Sequence, residues 1–85
     1  MVIERFHNND VAPVGDRFRT SGRMLPEGVT YQASWLDHAG SQCFQLVDAP
    51  SVELMSAWIS RWNDLADFEL IPVLTSAEFW EARRT

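Results

Sequence analysis

Alternating and helical spacings of apolar residues divide the chain into six segments and a tail. Met1 to Phe6 is apolar and carries β-branched residues, the pattern of a first strand. Asn8-Asn9-Asp10 interrupts it, and Asp10 suits a helix N-cap because its carboxylate accepts from a free backbone N–H of the first turn. Val11, Val14 and Phe18 recur at i, i+3 and i+7, which makes one helical face apolar. Pro13 is tolerated only in the first turn of that helix. Gly22 supplies its stop.

Arg23 to Gly28 reads as a loop with a turn over Pro26 to Gly28. Val29 to Leu36 is a second strand, Asp37-His38-Ala39-Gly40 a hairpin loop, and Ser41 to Val47 the returning strand. Pro50 and Ser51 open a second helix whose apolar face is Val52, Met55, Trp58, Ile59 and Trp62. Asn63-Asp64 ends it, and Phe68 to Leu74 is the last strand. Thr75-Ser76-Ala77-Glu78 matches a capping box, so a short helical extension over 76–84 carries Phe79 and Trp80.

This order predicts an α+β domain, a ferredoxin-like βαββαβ sandwich with two helices on one face. Right-handed crossovers favour the sheet order 4-1-3-2. Pro72 lacks a ladder donor and therefore belongs on an edge strand, as strand four is in that order. Placing Leu36 opposite Ser41 gathers Tyr31, Ala33 and Trp35 with Phe44 and Leu46, and Gln32 and Ser34 with Cys43 and Gln45. The apolar set is expected beneath the helices. The polar set is expected on the open face, together with Ile71 and Val73. A half-apolar face is seldom left to water. Two such sheets are therefore expected to meet as a dimeric α+β barrel with a partly polar interior.

Composition narrows the picture. Residues 1–85 make one domain. The hydrophobic fraction of 46%, with four tryptophans and five phenylalanines, exceeds the needs of a two-layer core and points to a second buried surface. The formal charge is −5, and all seven basic residues are arginines. An acidic chain without a basic stripe is a poor nucleic-acid binder. Without lysine there is neither Schiff-base chemistry nor the lysine of a phosphate-binding loop. A single cysteine, Cys43, excludes an intrachain disulfide. Charge at Glu4 and Arg5 comes too early for a secretory signal, and no apolar run reaches the roughly 18 residues that span a membrane. A cytoplasmic protein is expected, with no membrane, metal or cofactor.

The stretch Gly22-Arg23-Met24-Leu25-Pro26-Glu27-Gly28-Val29-Thr30-Tyr31, with Ser34-Trp35 and Cys43-Phe44-Gln45-Leu46, resembles a family of small bacterial proteins catalogued as a domain of unknown function. Trp58-Ile59-Ser60-Arg61-Trp62-Asn63-Asp64-Leu65 and Phe68-Glu69-Leu70-Ile71-Pro72-Val73 extend the resemblance over nearly the whole chain. It implies the dimeric α+β barrel fold and no activity. Relatives in the wider superfamily include small monooxygenases, lactone isomerases and ligand-binding modules, a likeness of fold that says little of chemistry.

Candidate chemistry falls in four places. His7, His38, Asp37 and Cys43 can gather where strand one ends beside the hairpin loop, a set able to ligate a metal or activate a thiolate, although solvated loop histidines and a packed cysteine are the commoner outcome. Arg23, with Glu27 in the same loop, suits recognition of a carboxylate or phosphate through its two-pronged fork. Glu4 and Arg5 point to opposite faces of strand one. Arg5 facing the barrel binds an anion with Gln32, Ser34 and Gln45, or else pairs across the dimer. Trp58 and Trp62, one helical turn apart, read as core. Phe79 and Trp80 need a surface to pack on, in their own domain or on a partner.

Three functions follow. The foremost is a homodimer through the open sheet face, binding a small polar or anionic molecule by Arg23, Arg5, Gln32, Ser34 and Gln45. The second is a small cofactor-independent enzyme, monooxygenase- or isomerase-like, in which His7, His38 or Glu4 moves a proton and Cys43 is a further catalytic candidate, as a nucleophile. The third is a structural or protein-interaction module.

Overall fold

In a computed structural model, which describes residues 1–84, the chain runs β1 (Val2–Phe6), a short 3-10 turn (His7–Asn9), α1 (Ala12–Ser21), β2 (Thr30–Leu36), β3 (Gln42–Asp48), α2 (Val52–Ile59), β4 (Ala66–Leu70) and α3 (Ser76–Ala82). All strand pairs are antiparallel, and the sheet order is β2-β3-β1-β4, or β4-β1-β3-β2 from the other edge. β1 and β3 are central. This is an α+β domain in keeping with a ferredoxin-like sandwich. Among the described residues no helix is long and apolar enough to cross a membrane.

Local chemistry sets the element ends. The Asp10 carboxylate accepts from Ala12 N–H at 3.0 Å ahead of α1. Gly22 takes φ +67 and closes α1 by donating its N–H to the Phe18 carbonyl at 2.8 Å. Ser51 caps α2 by accepting from Leu54 N–H at 3.3 Å. α2 stops at Ile59, short of the expected Trp62, because the chain tightens into turns in which Trp62 N–H reaches the Ile59 carbonyl at 2.9 Å. β4 likewise ends at Leu70, not at Leu74. Ile71 and Met1 exchange backbone bonds of 2.7 and 2.8 Å, and Pro72 then offers no N–H to carry the ladder on.

The hairpin pairs Leu36 with Cys43, two residues from the expected partner, so the division of side chains between faces survives. Which face the helices cover is the reverse of expectation. Val2, Glu4 and Phe6 of β1, Cys43 and Gln45 of β3 and Ala66 of β4 are buried beneath α1 and α2 with Met55, Trp58 and Trp62. Ile3, Ala33, Trp35, Phe44 and Leu46 share the open face, and Trp35 is 54% exposed. The reason lies in β1 and β4. Val2 and Phe6, beside Phe68 and Ala66, give the helices a mostly apolar bed, while Arg5 and Glu69 on the other face form an ion pair in the open. A bulge between Tyr31 and Ala33 also turns Tyr31 to the covered side, where its hydroxyl meets Ser34 Oγ at 2.8 Å.

Candidate functional site

The site is organised around Arg23, which follows Gly22, the residue that closes α1. Trp58 Nε1 and Trp62 Nε1 both donate to the Arg23 carbonyl, at 2.9 and 3.0 Å. Arg61 donates to the next carbonyl, that of Met24. Met24 has φ +56, a left-handed conformation that disfavours a side chain and persists only when its surroundings enforce it. Three side-chain donors from the α2 region thus fix the backbone on which the Arg23 side chain is mounted.

That side chain is fixed too. Its guanidinium carbon lies 3.6 Å from the centre of the Tyr31 ring and 5.2 Å from that of Phe18. Such stacking holds a cation by its attraction to the ring faces. Arg23 Nε donates to Gln45 Oε1 at 3.3 Å, and the Gln45 amide nitrogen donates to Glu4 Oε1. Glu4 is only 5% exposed. Burial pushes its carboxyl above the ordinary value of 4.5, and the Gln45 hydrogen bond and the Arg23 charge pull it part of the way back. Burial, followed by the nearby Glu4 charge, pushes the Cys43 thiol up to about 12. Both effects disfavour the thiolate, the nucleophilic form of the side chain.

These groups line a cavity of about 210 Å³ between the sheet and the helices. Glu4, Arg23, Ser34, Cys43 and Gln45 form its polar wall, and Phe6, Val14, Phe18, Leu36, Trp58 and Trp62 supply most of its apolar lining. A larger concavity, about 420 Å³, lies at the other end of the sheet between Met1, Ala49, Pro50, Met55, Ile71 and Val73. Its polar side chains are Asp48 and Ser51, neither of them fully buried, so it is the weaker candidate.

A family model described as a domain of unknown function, DUF3303, matches residues 1–85. The chain belongs to that family. No curated protein and no solved structure matches it. The chemistry of this DUF3303 domain is therefore read from its geometry.

The structure brings together Glu4, Arg23, Ser34, Cys43 and Gln45, but on the helix-covered face and not on the open one. Arg5 and Gln32 are elsewhere. Arg5 Nη2 pairs with Glu69 of the same chain at 2.9 Å on the open face. Gln32, displaced by the bulge, is exposed and donates to Asp48. The histidine, aspartate and cysteine set does not assemble. His7 is exposed and meets Asp67 at 3.0 Å, His38 is exposed in the hairpin loop, and Asp37 accepts from Ser41 and Gln42. Among the described residues no three His, Cys, Asp or Glu side chains can hold a metal. Glu27 is exposed beside the Pro26–Val29 turn and forms no ion pair with Arg23.

Tyr31, Phe18, Trp58 and Trp62 were not expected to serve the site. Two tryptophans one turn apart do carry a signal, since each buried indole N–H requires an acceptor. The shared acceptor is the Arg23 carbonyl.

Proposed function

We propose that this DUF3303 domain is a small homodimeric binding module, and that it holds a small organic anion with a compact apolar body in the cavity between sheet and helices. One observation carries the reading: Arg23 is immobilised at both backbone and side chain with its head at the polar wall. Gln45 engages Nε. The two terminal nitrogens donate to no protein acceptor among the described residues, which leaves a fork of the shape a carboxylate takes. Size supports a one-ring ligand. A cavity of ~150 Å³ with apolar walls accommodates benzene, and 210 Å³ adds room for a head group. The exposed apolar side chains of the other sheet face support the homodimer.

Titration with benzoate and with neutral benzamide, followed by the indole NMR signals of Trp58 and Trp62, tests the ligand class. Benzoate is expected to shift both signals and to bind more tightly than benzamide. Arg23→Met is expected to weaken benzoate by about tenfold or more, since charge-assisted hydrogen bonds contribute roughly 1.5–3 kcal/mol. Equal binding of the two probes, or no effect of Arg23→Met, rejects the reading.

The buried Glu4 carboxyl favours a second reading, a small cofactor-independent enzyme of the monooxygenase or isomerase kind. A buried acid raised above its ordinary value at a cavity wall is suited to holding and releasing a proton. Glu4→Gln separates the two: a binding module keeps its ligand, whereas an enzyme retains binding and loses turnover.

A further inference from the structure

Beyond Ile71 the chain leaves the domain. Every described residue from 71 to 84 is exposed, Leu74 by 61% and Trp80 by 65%. The segment is nonetheless ordered by its own chemistry. Glu78 N–H donates to Thr75 Oγ1, and Thr75 N–H to the Glu78 carboxylate, both at 3.0 Å, closing a capping box on α3. The Phe79 and Trp80 rings meet edge to face at 5.2 Å. A helix of seven residues is marginal by itself in water. None of its residues joins either core cluster. It therefore needs another surface.

The size of that surface can be gauged. The chain exposes 5897 Å², against roughly 5,100 Å² for a compact chain of its mass. The excess, about 800 Å², is what one partner contributes to a standard interface. The radius of gyration, 14.3 Å, likewise exceeds the roughly 12 Å of a compact domain of this length. The other unpartnered apolar surface is the open sheet face, with Trp35 on β2 paired to Phe44. The arm leaves from β4, and Trp35 sits on β2, at opposite edges of one sheet. A two-fold axis satisfies both at once, because the arm of each copy then meets the β2 edge of the other and the assembly closes.

We propose that residues 71–84 form an exchange arm, and that each chain lays Ile71, Val73, Leu74 and Trp80 against the Trp35–Phe44 side of the open sheet face of a second copy. This rests on the homodimeric part of the proposed function and is independent of its ligand.

Sedimentation equilibrium on the full chain, on a chain ending at Pro72, on Trp35→Ala and on the two changes combined tests the arm. The full chain is expected to be a dimer at micromolar concentration. Ending the chain at Pro72 removes no core residue, so circular dichroism is expected to report a folded domain, and its dimer is expected to dissociate at least about tenfold more readily, or 1.4 kcal/mol. Trp35→Ala is expected to do the same. The combined variant is expected to be little worse than either, because the two surfaces act as one contact. A full chain that dimerises no better than the shortened one overturns the arm and leaves the homodimer standing. A monomeric full chain overturns both. Should the shortened chain fail to fold, Trp80→Ala on the exposed helix replaces it with the same two outcomes.

Discussion

The covered face of the sheet buries Glu4, Gln45 and Cys43, while the open face leaves Trp35 exposed with Phe44, Leu46 and Ile3 around it. The covered face keeps its polar groups by joining them: Glu4 to Gln45, Gln45 to Arg23, Arg23 to the rings of Tyr31 and Phe18. Buried polar groups outside such a chain cost stability, and among the described residues no buried side-chain polar atom lacks a partner. The open face has no such buried network: its apolar side chains lie beside the exposed Arg5–Glu69 pair, with Gln42 and Asp67 next to Arg5. A polar network around a cavity suits a small molecule, and an uncovered apolar face suits another protein surface. The difference between the faces thus matches the two proposed roles, a ligand on one face and a second copy on the other.

Tryptophan substitution on the two faces offers the largest contrast. Trp58 is 1% exposed, fills the core and holds the Arg23 carbonyl. Trp58→Ala is expected to cost about 3–5 kcal/mol in urea unfolding. Trp35→Ala, measured in the chain ending at Pro72 so that dimerisation does not contribute, is expected to cost less than about 1 kcal/mol, the range of surface changes. Similar losses at the two positions would erase the distinction drawn between the faces.

The sequence made the membership of each face legible and left its direction open. Alternation along β2 and β3 ties Ser34 to Gln45 and Trp35 to Phe44 whichever way the sheet is turned. The helices choose their side through β1 and β4, where Val2, Phe6, Ala66 and Phe68 outweigh Ile3, and no hairpin pattern contains that comparison. Arg23 was legible as a candidate because an arginine follows the Gly22 stop in a turn-rich loop. Tyr31 was not, since it reaches the site only through the bulge at Gln32, and a bulge leaves no mark on alternation until the strand is paired. Arg5 does lie on the open face, but Ser34 and Gln45 went with the covered one, so the expected set was divided, and Gln32 left it through the bulge.

Glu4 supplies the second contrast, and it depends on pH. Its folded carboxyl titrates above the ordinary 4.5, so the folded chain holds that proton more tightly than the unfolded one. The associated stability is fully present below the unfolded value and is lost as pH rises through the folded value. Asp37 and Asp64 act in the opposite sense, because hydrogen bonds from Ser41 and from Arg17, respectively, hold them below their ordinary range. Comparison with Glu4→Gln isolates Glu4. The variant is expected to melt higher than the parent near pH 7–8, with the gap closing at about pH 4, where an ordinary glutamate is protonated. Benzoate affinity in the parent is expected to fall over the same rise, as ionised Glu4 competes for Arg23. A gap that widens toward acid would mean that Glu4 is stabilised as a carboxylate, and the covered face would lose its proton-dependent anion site.

Salt sharpens the contrast on the open face, with the smallest effect. Each chain carries a formal charge of −5, so two copies repel. The proposed contacts of Ile71, Val73, Leu74, Trp80 and Trp35 are apolar and would respond little to ionic strength, whereas the repulsion is screened over a Debye length of about 10 Å at 0.1 M. Raising sodium chloride from ~0.05 to ~0.5 M is therefore expected to tighten the dimer by a few-fold in sedimentation equilibrium. Weakening over that range would instead require that opposite charges bridge the two chains. The Arg5–Glu69 pair would then be re-formed between subunits, and the open face would be an electrostatic contact with an apolar rim.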